Sequence, residues 1–92
     1  MAGYISTTNI GNGTTAYGYS SHAEGQFSTS YGNDSHAEGY YTTANNNAAH
    51  SEGWLTTANG DSSHAEGLST IASGDYSHAE GDSTVARSEE HT

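Results

Sequence analysis

The sequence lacks several residue types that most folds depend on. Its 92 residues include no cysteine and no proline, and the only lysine or arginine is Arg87. Without cysteine the chain forms neither disulfides nor thiolate metal sites, and the lack of proline suits continuous hydrogen-bonded strands. A net charge of −10 argues against nucleic acid as a partner. No run of 18 apolar residues is present, so we expect no membrane insertion.

Hydrophobic residues are also scarce, at 30% of the chain, whereas glycine occurs 12 times. A globular core in so short a chain would be marginal even with an ordinary apolar content. Low hydrophobicity with high net charge is typical of disordered chains. The residues here, however, are placed with a strict period, and that period argues against disorder.

A five-residue motif, Ser/Ala-His-Ala/Ser-Glu-Gly, recurs every 14 residues. Its copies occupy residues 21–25, 35–39, 49–53, 63–67 and 77–81, and a degenerate copy at residues 7–11 precedes them in the same register. A hydroxyl residue follows each glycine by three positions, and a small residue comes two positions later. Self-similarity at a fixed period is the signature of a repeat architecture.

Fourteen residues are too few for a helical hairpin repeat but enough for two short strands and two tight turns. The closing glycine of the motif suits a backbone position with positive φ. We therefore predict an all-β solenoid whose coils pair in parallel about 4.8 Å apart. The predicted organisation is a lead-in over residues 1–6, six coils over residues 7–90 and an end segment over residues 91–92.

Alternation of side chains along a strand assigns the residues of the motif to two faces. The interior of a two-strand coil admits only small side chains, so we place the central residue of the motif inside. These inward positions are Ala23, Ala37, Ser51, Ala65 and Ala79. Histidine and glutamate then share an outer face, where stacked carboxylates repel one another. We expect another copy of the chain to cover that face.

The repeat resembles the head repeat of the YadA-like trimeric autotransporter adhesins, a 14-residue coil with a Ser-Val-Ala-Ile-Gly core. Residues 7–11, Thr-Thr-Asn-Ile-Gly, come nearest to that form. The Ser-His-Ala-Glu-Gly variant is similar to repeats of bacterial and phage surface proteins, including tail-fibre regions. The resemblance covers residues 7–90. It implies a left-handed parallel β-roll that forms a side-by-side homotrimer, located outside the cell on a bacterial surface or a virion tail fibre.

Histidine and glutamate replace the apolar residues of the family's motif, which implies a polar seam between chains. The resemblance places ten residues at this trimer interface: His22, Glu24, His36, Glu38, His50, Glu52, His64, Glu66, His78 and Glu80. We expect His–Glu pairs between chains. Such pairing would raise the histidine pKa and place maximal stability at mildly acidic pH.

The motif also contains residues of two kinds of site chemistry, metal binding and nucleophilic catalysis. His-x-Glu on one strand face can chelate Zn²⁺ or Ni²⁺, which makes metal candidates of His22, His36, His50, His64 and His78. Because these positions recur in every coil, we interpret them as an interface ladder and predict no cofactor. Neighbouring strand residues face opposite sides, so the imidazole of His36 cannot reach the hydroxyl of Ser35 to activate it as a nucleophile. We therefore expect no enzyme.

Aromatic and large apolar residues cluster at the turn after the motif. They are Phe27, Tyr40, Tyr41, Trp54, Leu55 and Leu68. Stacked, they would form an apolar corner that either contacts a host receptor or glycan or shields the seam between chains. We favour the shielding role.

The sequence thus predicts a non-catalytic structural or adhesive module, the trimeric head or shaft of a bacterial surface adhesin or a phage tail fibre. Its predicted partners are itself and a host-surface receptor or glycan. One alternative is a filament that stacks end to end through open solenoid ends. Another is an assembly held by metal ions at the histidine and glutamate columns. Ice binding is disfavoured because alanine or serine lies two residues beyond each threonine of the second strand.

Overall fold

The computed structural model describes residues 7–87, which form two parallel six-stranded sheets. The first sheet contains β1 (Thr8–Asn12), β3 (His22–Gln26), β5 (His36–Tyr40), β7 (His50–Trp54), β9 (His64–Leu68) and β11 (His78–Ala79). The second contains β2 (Thr15–Ala16), β4 (Thr29–Ser30), β6 (Thr43–Ala44), β8 (Thr57–Ala58), β10 (Ile71–Ala72) and β12 (Val85–Ala86). Consecutive strands alternate between the sheets, so each coil contributes one strand to each. The predicted parallel β-solenoid of 14-residue coils is confirmed.

Some predictions fall outside the described residues. These are the lead-in over residues 1–6, the last three residues of the predicted roll, 88–90, and the end segment, 91–92. The left-handed sense of the coil and the side-by-side trimer stay predictions. Between residues 7 and 87 there is no helix with the length and apolar character needed to cross a membrane.

Pairing between coils places each residue beside its counterpart 14 positions along the chain. His36 pairs with His50, and Glu38 pairs with Glu52. Backbone hydrogen bonds of ordinary length join the coils; the amide of His36, for example, donates to the carbonyl of Ala49 at 2.9 Å. Like side chains therefore stack in columns, as expected for parallel strands in register.

The interior consists of four such columns of small side chains. Fully buried alanines include Ala37 and Ala65 from the first sheet and Ala58 from the second. Buried hydroxyls are satisfied locally, because Ser51 and Thr56 hydrogen-bond to each other at 2.7 Å. The predicted inward position of the motif's central residue is confirmed. No inward-facing position of the described coils holds a side chain larger than threonine, so the interior is thin.

The corner after the first strand bends through two residues with positive φ. The motif glycines have φ between 106° and 122°, which confirms the prediction made for them. The residue two positions later is also left-handed, although it is Phe27, Tyr41 or Leu55 in the middle coils, with φ between 54° and 59°. Residues other than glycine rarely adopt this backbone conformation, and sequence reasoning did not find it.

The corner after the second strand uses a buried serine. Ser35 Oγ donates to the carbonyl of Gly32 at 2.6 Å, and Ser63 Oγ donates to that of Gly60 at 2.7 Å. The hydroxyl is therefore committed to the turn and points away from the imidazole of His36, as predicted.

Candidate functional site: the His–Glu face

The outer face of the first sheet carries one column of histidines and one of glutamates, which we call the His–Glu face. It comprises His22, His36, His50, His64 and His78 with Glu24, Glu38, Glu52, Glu66 and Glu80. Neighbouring imidazole rings stack with centroids 4.6–4.8 Å apart. The ring planes are nearly parallel from His36 onward, whereas His22 and His36 are tilted by 41°.

The histidines approach glutamates through their Nε2 atoms. His22 lies 2.7 Å from Glu24 and His36 lies 3.1 Å from Glu38, each within its own coil. His64 approaches two carboxylates, at 3.4 Å to Glu66 and 3.3 Å to Glu52 of the preceding coil. These pairs form within one chain, and pairing between chains stays a prediction.

The environment lowers the pKa of the central imidazoles. Burial is the main cause for both His36 and His50, and the positive charge that a neighbouring imidazole would carry adds to it. The expectation that glutamate pairing between chains raises the histidine pKa stays a prediction. Within one chain, burial outweighs the raising effect of the nearby glutamates on His36 and His50. Their lowered pKa favours the neutral form, so their contribution to stability is present above 6.5 and is lost as the pH falls.

The carboxyl groups alternate in their affinity for protons. Burial, followed by hydrogen bonding to Glu52 and Glu24, raises the pKa of Glu38 to about 7. Hydrogen bonding to Glu52 and Glu80 likewise raises the pKa of Glu66. By contrast, a hydrogen bond with His22 lowers the pKa of Glu24, and one with Glu66 lowers that of Glu52. Stacked carboxyls thus share protons, with a more acidic group next to a less acidic one.

The face also presents four overlapping groups of potential metal ligands. Each consists of a histidine, the glutamate two residues later and the histidine of the next coil, with ligand atoms within 4.8 Å of one another. Two imidazoles and a carboxylate are a donor set that suits Zn²⁺.

A groove of about 940 Å³ runs along the His–Glu face, beside the glutamates. The residue after each glutamate is a glycine, which adds no side chain to the lining of the groove. Its lining consists of Ile10, Glu24, Gly25, Glu38, Gly39, Glu52, Gly53, Glu66, Gly67, Glu80 and Gly81. Sequence reasoning missed this groove, although the repeated Glu-Gly pair was its signal.

Comparison with known families identifies the repeat. The family profile described as YadA head domain repeat (2 copies) matches residues 10–35, 23–45 and 65–86, together more than half of the chain. The chain belongs to the YadA head repeat family. The family predicted from the motif is thereby confirmed. No curated protein and no solved structure matches the chain.

Heads of the YadA family are modules of bacterial surface adhesins and form trimers in general. Residues 46–64 of this YadA head repeat fall between the matched segments. They nevertheless stack in the same register as the other coils, with His50 beside His36 and His64. The repeat structure therefore continues through the unmatched coil.

The apolar residues predicted to cluster at the first corner of this YadA head repeat lie in two adjacent columns. Tyr40 and Trp54 stack with ring centroids 4.4 Å apart, and Phe27 and Tyr41 stack at 4.9 Å. About half of the Trp54 surface is exposed. The structure brings these residues together, while their role as clamp or ligand surface stays a prediction.

The opposite corner of the YadA head repeat carries tyrosines that sequence reasoning did not single out. Tyr17 and Tyr31 stack in parallel with centroids 5.0 Å apart, and both are exposed. Their separation of 14 residues in the sequence was the available signal.

Proposed function

We propose that the chain is a non-catalytic head or shaft module in which three copies pack side by side through the His–Glu face, as part of a bacterial surface adhesin or a phage tail fibre. Membership of the YadA head family supports the trimer. The observation that carries the proposal is the continuous groove of about 940 Å³ along that face. A second and a third chain are the natural occupants of a groove that repeats with every coil.

The thin interior also favours association. Its buried side chains are alanine, serine and threonine, so folding of one chain removes little apolar surface from water. Covering the His–Glu face would add burial that a single chain lacks. Exposed Trp54 and Leu68, which follow the groove's glycines along the first strand, would contribute apolar contact at its edge.

The function of such a module is mechanical. Parallel pairing in every coil gives a stiff body, and three chains present each outer surface three times. Repeated weak contacts then add up through effective concentration. The stacked aromatics of the first corner, Phe27 with Tyr41 and Tyr40 with Trp54, supply flat surfaces suited to a glycan or a protein receptor.

Light scattering at two protein concentrations, with and without EDTA, tests the trimer. We expect a constant mass of three times 9.5 kDa in all four conditions. Two glutamate variants of the same coil sharpen the test, because the substituted residues lie on opposite sheets. His50→Glu adds three negative charges to a seam already lined by carboxylates and should dissociate the trimer, whereas Thr57→Glu, on the second sheet, should leave the mass unchanged. A single-chain mass for the unmodified protein would overturn the proposal.

A filament is the second candidate function. Within residues 7–87, the first coil (β1 and β2) and the last coil (β11 and β12) each pair with one neighbouring coil, so end-to-end stacking would use the other edge of these strands. Open edges template pairing with further chains. In the same light-scattering experiment, mass that grows with concentration would favour the filament, and mass that falls with EDTA would favour an assembly held by metal.

A further inference from the structure

The four groups of ligand atoms on the His–Glu face overlap along one chain. They are His22–Glu24–His36, His36–Glu38–His50, His50–Glu52–His64 and His64–Glu66–His78. Imidazole nitrogen with carboxylate oxygen suits Zn²⁺, Ni²⁺ and similar ions, whereas Ca²⁺ and Mg²⁺ prefer oxygen ligands alone. Each group is complete within one chain and does not depend on the proposed trimer.

Two of the nitrogen atoms concerned, in the middle of the column, are poorly satisfied. Among residues 7–87, the Nε2 atoms of His36 and His50 are buried and lack a hydrogen bond of good geometry. His36 Nε2 lies 3.1 Å from Glu38 and His50 Nε2 lies 3.6 Å from Glu52, so both face carboxylate oxygens. A buried polar atom without a good partner calls for an explanation, and an ion bound between nitrogen and carboxylate would supply one.

Small ring movements would bring these atoms to bonding distance. A tetrahedral zinc ion with bonds of about 2.0–2.1 Å holds two nitrogens roughly 3.3 Å apart. The rings stack 4.6–4.8 Å apart, which exceeds the carbon–carbon contact distance of about 3.5–4.0 Å. Tilting can therefore close the gap, and the 41° tilt between His22 and His36 indicates that the face accommodates it.

We propose that the His–Glu face binds divalent transition metal ions such as Zn²⁺, two per chain, each held by histidines of adjacent coils and the glutamate between them. The number of ions per chain follows because adjacent ligand groups share a histidine. Each histidine turns one nitrogen, Nε2, toward the carboxylates and serves one ion, so neighbouring groups that share a histidine exclude each other. Five histidines then fill two groups at once. Two divalent ions would also offset repulsion among the stacked carboxylates of a chain with net charge −10.

The test is the number of zinc ions per chain, measured by calorimetric titration of full-length, untagged, chelator-stripped protein with Zn²⁺. We expect about two, and no binding of Ca²⁺ at the same concentration. Substitution by glutamine gives a pattern that depends on position in the column. His50→Gln leaves His22 with His36 and His64 with His78, so it should still bind two ions. His36→Gln leaves His50, His64 and His78, which should bind one.

Two double variants each lack two histidines and differ only in where in the column these histidines lie. The pair His36→Gln and His64→Gln leaves no two adjacent histidines and should bind no zinc. The pair His22→Gln and His78→Gln keeps three adjacent histidines and should bind one. Circular dichroism checks that each variant folds, and the visible absorption of bound Co²⁺ should follow the same counts. Equal losses in all single variants, or binding of Ca²⁺, would overturn the proposal, whatever the oligomeric mass.

Discussion

The interior columns and the His–Glu face share the same 14-residue register but differ in whether the stacked side chains repel one another. Inside, Ala37, Ala65 and Ala58 are completely buried, and like residues stack without charge. Outside, imidazoles stack 4.6–4.8 Å apart beside a column of carboxylates whose pKa values are pushed in opposite directions. Repetition of small neutral groups therefore stabilises the fold, whereas repetition of ionisable groups leaves unmet interactions that a partner or an ion can satisfy.

The glycine column that borders both regions should respond most strongly to mutation. A Cβ added to Gly39, where φ is 117°, would overlap the carbonyl oxygen of Gly53 in the next coil. We expect Gly39→Ala to lower the free energy of unfolding by roughly 4 kcal/mol, from combined overlap and backbone strain. Urea denaturation measures this loss.

Gly81 provides the matched control for that substitution. It has nearly the same φ, 106°, but its added Cβ would meet only Thr84 at an ordinary distance of 3.7 Å. Gly81→Ala should therefore cost about 1 kcal/mol, from strain alone. Equal losses in the two variants would mean that contact between coils is not what the glycine column protects.

Enlarging a side chain should lower the free energy of unfolding far more inside the solenoid than on its outer surface. Ala65 is completely buried, so Ala65→Leu should lower the free energy of unfolding by about 3 kcal/mol. Thr57→Ile, on the outer face of the second sheet, should change it by less than about 0.5 kcal/mol. Ile71 already occupies the next place in that column, which supports the expectation. Thermal melts of both variants measure the contrast, and a tolerated leucine inside would contradict the tight packing of the interior.

The smallest expected effect is electrostatic and depends on pH. The pKa of Glu38 rises from an ordinary 4.5 to about 7 on folding, so the folded state binds more protons between these values. Its contribution to stability is complete below 4.5 and is lost as the pH rises through 7. Glu38→Gln mimics the protonated form. It should stabilise the protein at pH 8 by less than about 1 kcal/mol, because the side chain is one-third exposed and solvent screens it, and should change little at pH 4.5.

Glu24→Gln is the control for this pH effect, because hydrogen bonding to His22 lowers the pKa of Glu24. The ionised form of Glu24 contributes to stability above 4.5, and that contribution is lost as the pH falls through the folded value. Glu24→Gln should therefore destabilise the protein at pH 8. Thermal melts at both pH values, in EDTA, compare the two variants. Identical shifts at pH 8 would contradict the alternation along the carboxyl column.

The sequence was sufficient for those features that follow from its period. Strand pairing, the inward position of Ala37 and the positive φ of Gly39 all follow from a 14-residue repeat with one small and one glycine position. The pKa of His36 could not be predicted in the same way, because its main causes, burial and the neighbouring imidazole, arise only when coils stack. The left-handed conformation of Phe27 and Tyr41 was also hidden, since such side chains ordinarily avoid it.

Because strands pair only between adjacent coils, the fold also has a genetic consequence. Every strand of the described residues pairs only with strands of directly adjacent coils. An in-frame duplication or deletion of 14 codons would therefore add or remove one coil while leaving every remaining column intact. Each such event would change the length of the module by about 4.8 Å. Recombination between the near-identical repeats offers a simple route by which the reach of this protein can be adjusted without redesigning its surface.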